Sequence, residues 1–75
     1  MSKITVKLFA GFREGRFHRR ELELAAPAKV SGLLRELEIP IAEVGVLLVN
    51  GRHVEPDYCL KESDTCSIFP KVGGG

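Results

Sequence analysis

The first clear pattern along the chain is an alternation of apolar and polar residues near the N-terminus. Ile4, Val6 and Leu8 alternate with lysine and threonine residues, a period of two that is typical of a β-strand with one buried face. After a glycine-bearing connection at residues 11–15, residues 17–24 predict a second strand that is clearly amphipathic only in its second half. The two strands together predict an antiparallel hairpin with a long loop.

The period then changes to that of an α-helix. One apolar stripe at helical spacing consists of Val30, Leu33, Leu34 and Leu37. Pro27 lies where a proline suits the first turn of a helix, and Pro40 cannot continue one. The sequence therefore predicts a single helix that begins near Pro27 and ends at Pro40.

Three further strands complete the predicted fold. Residues 46–49 are apolar on both faces, as in a strand inside a sheet, and Asn50-Gly51 is a strong signal for a two-residue hairpin into residues 52–54. Residues 65–69 predict the closing strand, which Pro70 stops. This order predicts an α+β protein of the ubiquitin-like β-grasp type, with a mixed sheet of about five strands packed against one main helix.

Length and charge limit the classes of function that the chain can have. The chain has 75 residues, 44% of them hydrophobic, which is enough for one domain with a single core. Its net charge of +1 disfavours binding to nucleic acid, and no apolar stretch is long enough to span a membrane. The first residues lack the apolar segment of a signal peptide, so we expect a cytoplasmic protein.

The cysteines and histidines do not form a catalytic or metal-binding pattern. Cys59 and Cys66 lack the spacing of a zinc site, and Cys66 alternates with Ile68 as a small core residue would. We expect His18 and His53 to be titratable surface residues instead of catalytic bases. No metal site and no autonomous catalysis are therefore expected.

The chain ends in Gly73, Gly74 and Gly75 directly after the closing strand. Glycine has no β-carbon, so such a tail fits a slot too narrow for side chains and can bring its carboxylate to an active site. Terminal glycines can equally be a chain end without function, and the tail alone leaves both interpretations open. We predict a globular domain at residues 1–70 and a flexible carrier tail at residues 71–75.

Several segments together resemble the MoaD/ThiS sulfur carriers over the full length of the chain. They are residues 7–10 with 13–14, 33–37, 48–51, 60–64, 69–70 and 72–75. Leu8-Phe9-Ala10 and Phe69-Pro70 look more like MoaD, the small subunit of molybdopterin synthase. The Val-Gly-Gly-Gly end is more similar to ThiS, the thiamin-pathway carrier.

The resemblance implies a chemistry for the terminus. A ubiquitin-activating-type adenylyltransferase would adenylate the Gly75 carboxylate with ATP and Mg²⁺, because a free carboxylate resists nucleophilic attack. A persulfide sulfur would then displace AMP and leave a thiocarboxylate. A sulfur-accepting synthase subunit would receive the sulfur. Molybdopterin synthesis is the favoured pathway, and thiamin thiazole synthesis is the second candidate. The carrier itself would bind no cofactor.

Two positions depart from the family. Ser63-Asp64 stands where a Gly-Asp pair is common, so a positive φ at Ser63 would carry strain. Lys71 stands where MoaD commonly has a second proline.

Alternation also predicts a docking surface for the partners. If Ile4 and its alternating neighbours face the helix, Phe9 and Phe69 lie on the open face of the sheet, close together when the first and last strands pair. Arg52, His53 and Lys71 would form its polar rim, and Gly73 would contact the partner.

Other functions remain open or are excluded by specific features. A ubiquitin-like protein modifier or a tRNA-thiolation sulfur carrier would share the same tail and the same activation. A β-grasp ferredoxin is excluded because its cluster needs four cysteine ligands and this chain has two. The chain lacks the basic, aromatic stripe of a nucleic-acid-binding module.

Overall fold

The structure is a computed structural model that describes residues 1–72. Its seven strands are β1 Ser2–Leu8, β2 Arg19–Leu24, β3 Ala28–Lys29, β4 Val44–Val49, β5 Arg52–His53, β6 Cys59–Leu60 and β7 Thr65–Pro70. Its α-helix is α1 Val30–Glu36, and two 3₁₀ helices occupy Ala10–Arg13 and Ile41–Glu43. No helix in this part of the chain is long and apolar enough to cross a membrane.

The main sheet has five strands in the order β2-β1-β7-β4-β5. β1 and β7 run parallel at its centre, and the other neighbours are antiparallel. Helix α1 packs across one face, and the opposite face is open. This confirms the predicted ubiquitin-like β-grasp fold with a mixed sheet and one main helix.

The core lies between the helix and the inner face of the sheet, as the alternation predicted. Ile4, Val6 and Leu8 of β1 are fully buried, and Leu33 and Leu34 of the helix pack against them. Cys66 and Ile68 of β7 complete the same cluster, so Cys66 is confirmed as a core residue.

The helix begins at Val30, three residues after Pro27, which lies outside its first turn. Ala28 and Lys29 instead form β3, which pairs with β6 as a second, two-stranded sheet. Two-residue strands carry no periodicity that sequence patterns can detect. The first helical amides bond to loop carbonyls outside the helix, from Val30 to Tyr58 and from Ser31 to Pro56.

The helix also ends earlier than predicted, at Glu36, four residues before Pro40. Its C-terminus is a Schellman motif: the Ile39 N–H donates to the Leu34 carbonyl and the Glu38 N–H to the Arg35 carbonyl. Glu38 adopts the left-handed conformation that this motif requires, with a φ of 58°. The stop therefore comes from backbone capping, and the proline lies beyond it.

The Asn50-Gly51 hairpin is confirmed and is tied to the turn before β7. Both residues have the positive φ of a type I′ turn, at 53° and 83°. The Asn50 side-chain amide donates to the Asp64 carboxylate at 2.8 Å, and its side-chain oxygen accepts the Thr65 N–H at 2.9 Å. Asp64 is buried, and its second oxygen accepts the Lys61 N–H at 2.8 Å.

Ser63, in the same turn, has a φ of 73°. The strained conformation expected at this position is therefore present. Its N–H donates to the Lys3 carbonyl at 2.9 Å, which holds the turn against the start of β1.

Candidate functional site

The site is built around two phenylalanine rings on the open face of the sheet. Parallel pairing of β1 with β7 places Leu8 opposite Ile68, so the residues that follow, Phe9 and Phe69, come side by side. Their rings stack with centroids 4.1 Å apart and planes 9° apart, and both are half-buried. The predicted juxtaposition of the two rings is therefore present.

An open apolar groove of about 690 Å³ adjoins the stack. Its lining residues are Ala10, Gly11, Val46, Leu48, Phe69, Pro70, Lys71 and Val72. Val46 lies opposite Phe69 in the register, which extends the apolar surface from β7 onto β4. Val46 and Leu48 were not predicted to belong to this surface, although in a strand two of the four apolar residues at 46–49 must point away from the core.

The groove ends where the chain leaves the sheet. The Lys71 N–H donates to the Glu43 carbonyl at 3.0 Å, so the backbone is still held one residue past β7. A β-bulge in β4 at Gly45 brings the two strands together there, with the carbonyl of Pro70 close against Gly45. The predicted carrier residues Gly73, Gly74 and Gly75 lie outside the described residues, and the last described residue is Val72.

The three predicted rim residues are all exposed but do not lie on one face. His53 pairs with Leu48, and register partners share a face, so His53 lies on the open side next to the groove. Arg52 pairs with Val49, whose side chain is buried, so the register places Arg52 on the helix side. Lys71 lines the groove itself.

Arg13 is a site residue that the sequence analysis missed. Its guanidinium carbon lies 5.2 Å from the centre of the Phe9 ring, and its Nε donates to the Leu8 carbonyl at 2.7 Å. The 3₁₀ helix Ala10–Arg13 turns the chain back so that these contacts form, and it is anchored by Phe12, which is buried in the core. A cation over an aromatic face stabilises the ring position.

The cysteines lie away from this site and differ in burial. Burial, with a smaller contribution from the Asp64 carboxylate, raises the pKa of the Cys66 thiol to about 12. Cys66 therefore stays protonated and unreactive at neutral pH. Cys59 is free and exposed. Residues 1–72 contain no cluster of three or more side chains suited to holding a metal ion.

Comparison with protein families gives a match over nearly the whole chain. The ThiS family model matches residues 6–75, a range that includes the stacked phenylalanines and the terminal glycines. The comparison with curated proteins found no match.

Three archaeal proteins are among the solved structures of similar fold. A protein of Pyrococcus furiosus, provisionally described as molybdopterin converting factor subunit 1, is 34% identical with a TM-score of 0.78, covering 96% of this chain and all of that one. The HVO 2177 protein of Haloferax volcanii is 29% identical with a TM-score of 0.79, covering 99% and 87%. Small archaeal modifier protein 1 of H. volcanii is 20% identical with a TM-score of 0.77, covering 96% of this chain and all of that one. At this identity the likeness shows the fold alone.

Proposed function

The chain belongs to the ThiS family, and on that basis we propose that it is a sulfur carrier protein. Its terminal carboxylate, on Gly75, is adenylated and converted to a thiocarboxylate. The sulfur is then donated in the synthesis of a cofactor. The protein acts as substrate and carrier, and the catalytic groups belong to its partners.

One observation supports the proposal more than any other: the apolar groove lies directly beside the point where the chain leaves the sheet. Phe69 and Val46 supply adjoining apolar side chains there, and Lys71 and Val72 continue the lining toward the terminus. A partner that covers this surface is therefore in reach of the tail. Four extended residues after Lys71 would span on the order of 13 Å.

The proposed chemistry follows from the properties of a carboxylate. The Gly75 carboxylate attacks the α-phosphorus of ATP, pyrophosphate leaves, and the carbonyl carbon becomes electrophilic as an acyl adenylate. A persulfide sulfur attacks that carbon and AMP leaves, which forms an acyl disulfide. A second thiol reduces the disulfide and releases the thiocarboxylate. Mg²⁺ belongs to the ATP bound by the adenylyltransferase.

The proposed partners are a ubiquitin-activating-type adenylyltransferase, a persulfide donor and a sulfur-accepting synthase subunit. The reaction is proposed for the cytoplasm, where ATP and reduced thiols are available. Molybdopterin synthesis is the favoured pathway, supported by the 34% identity to the P. furiosus protein. Thiamin thiazole synthesis is the next, supported by the match to the ThiS family.

A ubiquitin-like protein modifier and a tRNA-thiolation carrier are the alternatives, because they share the tail and its activation. The fold likeness to small archaeal modifier protein 1 supports the modifier only weakly, since 20% identity reports the fold alone. A modifier would form isopeptide bonds to lysine side chains. Mass spectrometry of conjugates in cells that produce the protein separates this outcome from a carrier.

The activation step can be tested with ATP–pyrophosphate exchange by the adenylyltransferase from the same organism. Exchange should depend on the added carrier and should disappear when Gly75 is deleted. Lys29→Glu, an exposed position in β3 just before α1, is a surface control away from the groove and should preserve exchange. Exchange that continues with the shortened chain would contradict the proposal.

A further inference from the structure

Basic side chains surround the apolar site on the open face of the sheet. One register row crosses all five strands next to the phenylalanine stack. In strand order it consists of Arg19, Lys7, Ser67, Leu48 and His53. Because register partners share a face, the two cations at one end and the histidine at the other flank the apolar centre.

Two further cations extend this arrangement. Arg13 lies over the Phe9 ring, and Lys71 lines the groove at the end of β7. We refer to Lys7, Arg13, Arg19 and Lys71 as the basic belt. Two acidic residues adjoin it, Glu14 next to Arg13 in sequence and Glu43, whose carbonyl accepts the Lys71 N–H, so the belt keeps an excess of positive charge although the whole chain has a net charge of only +1.

The basic belt includes a pair that is unfavourable in the free protein. Lys7 of β1 lies directly opposite Arg19 of β2, and like charges at opposed positions of an antiparallel pair destabilise it. Lys7 is half-buried and Arg19 is exposed. An anionic group placed between them relieves this repulsion, so the pair favours binding of a negatively charged surface.

We propose that the partner that docks on this site is a folded protein whose contact surface surrounds an apolar centre with carboxylates that pair with Lys7, Arg13 and Arg19. The inference rests on the proposed function. A nucleic acid fits the surface less well for two reasons. Phe69 and Arg13 both lie against the Phe9 ring, which leaves it no free face for a base to stack on. Glu21 and Glu23 continue the same face of β2 beyond the belt with negative charge.

The test is the rate of association with the adenylyltransferase from the same organism, for the wild type, Lys7→Glu and Arg19→Glu. Each charge reversal should lower the association rate about tenfold at about 50 mM NaCl. The difference from the wild type should shrink at about 0.5 M NaCl, where exposed charges are screened. The control Lys29→Glu has the same charge change outside the belt and should keep the wild-type rate at both salt concentrations.

A second readout separates lost recognition from misfolding. Arg19→Glu replaces a like-charge pair with an opposite-charge pair beside Lys7, so its Tm should equal or exceed that of the wild type while its association rate falls. Loss of Tm together with loss of binding in both variants would overturn the assignment, because the residues would then act through the fold.

Other outcomes would also overturn it. Wild-type association that is independent of salt and unchanged in both variants contradicts an acidic partner surface. Binding of a fluorescent single-stranded oligonucleotide that is lost in Arg19→Glu assigns the belt to nucleic acid instead. These failures differ from failure of the proposed function, which would appear as absent ATP–pyrophosphate exchange with the wild type itself.

Discussion

Gly45 lies so close to Pro70 that a β-carbon on Gly45 would come within 2.7 Å of the Pro70 carbonyl oxygen. The same β-carbon would lie 2.9 Å from the α-carbon of Lys71. Both neighbours are backbone atoms, which cannot rotate away as a flexible side chain can. The bulge in β4 therefore requires glycine where the chain turns toward its tail.

Gly45→Ala should displace the end of β7 and the residues that lead to the tail. We expect it to cost about 1–3 kcal/mol of unfolding free energy through overpacking and to slow ATP–pyrophosphate exchange. Gly32→Ala is the matched control: a β-carbon there meets nothing within 4 Å, and alanine in a helix should add about 0.5–1 kcal/mol. Urea unfolding and exchange rates measure both effects. Normal stability and exchange in Gly45→Ala would show that the close approach is unimportant.

Phe9→Ala and Phe69→Ala should weaken partner binding while destabilising the fold less than a core substitution does. As half-buried aromatic anchors, each should cost roughly 1–3 kcal/mol of binding free energy. Loss of the ring stack should cost about 0.5–1.5 kcal/mol of stability beyond lost burial. Leu34→Ala, in the core, should do the reverse and cost about 2–5 kcal/mol of unfolding free energy.

Melting curves and partner titrations of the three variants check this contrast. If both phenylalanine variants melt as low as Leu34→Ala and bind normally once folded, the rings serve the core and the docking surface lies elsewhere.

The strands and the stacked rings could be predicted because each depends on a regular local pattern. Alternation at Ile4, Val6 and Leu8 determines which way Phe9 points, and alternation at Cys66 and Ile68 does the same for Phe69. Alternation alone does not show that β1 pairs with β7, and this pairing follows from the β-grasp topology. The Asn50-Gly51 turn could be predicted for a similar reason, since few residue pairs adopt two positive φ values in succession.

The remaining features depend on irregular local turns or on strand pairing, neither of which leaves a hydrophobic period in the sequence. Phe12 lies in an irregular connection, so no periodicity indicates that it is buried. The helix end is determined by backbone hydrogen bonds from Glu38 and Ile39, whereas the prediction used Pro40 as the stop signal. The placement of Arg13 over Phe9 requires the 3₁₀ turn between them, and the position of Arg52 follows from a register known only once β4 and β5 are paired.

Asp64 should be a main determinant of stability outside the apolar core. Its carboxylate accepts hydrogen bonds from the Asn50 side chain and the Lys61 N–H, and it is buried. Asp64→Ala leaves these donors without a partner and should cost about 1–3 kcal/mol or more. Asp57→Ala, at an exposed turn position, is the control and should stay within about 0.5 kcal/mol of the wild type. Equal unfolding midpoints in urea for the two variants would contradict this role.

The Cys66 thiol should make stability depend on pH in the alkaline range. Burial raises its pKa from 9.0 to about 12, so the folded protein holds this proton more tightly than the unfolded chain does. The free energy of unfolding that this shift contributes is fully present below pH 9. It is lost as the pH rises toward 12, by up to about 1.4 kcal/mol per pH unit. Urea unfolding of the wild type and Cys66→Ala at each pH isolates this effect, because other titrating groups are common to both. A stability difference that stays constant across this window would contradict it.

The mass of the terminal peptide tests the central claim most directly. The protein is incubated with its adenylyltransferase, ATP, Mg²⁺, a persulfide donor and a thiol reductant, and then digested and analysed by mass spectrometry. Conversion to a thiocarboxylate should add about 16 Da, the mass of sulfur less that of oxygen, at Gly75. Gly74→Val, which places a side chain in the tail but leaves the core unchanged, should prevent the gain. A gain of sulfur located on Cys59 or Cys66, with Gly75 unmodified, would contradict the carrier function and indicate a persulfide relay.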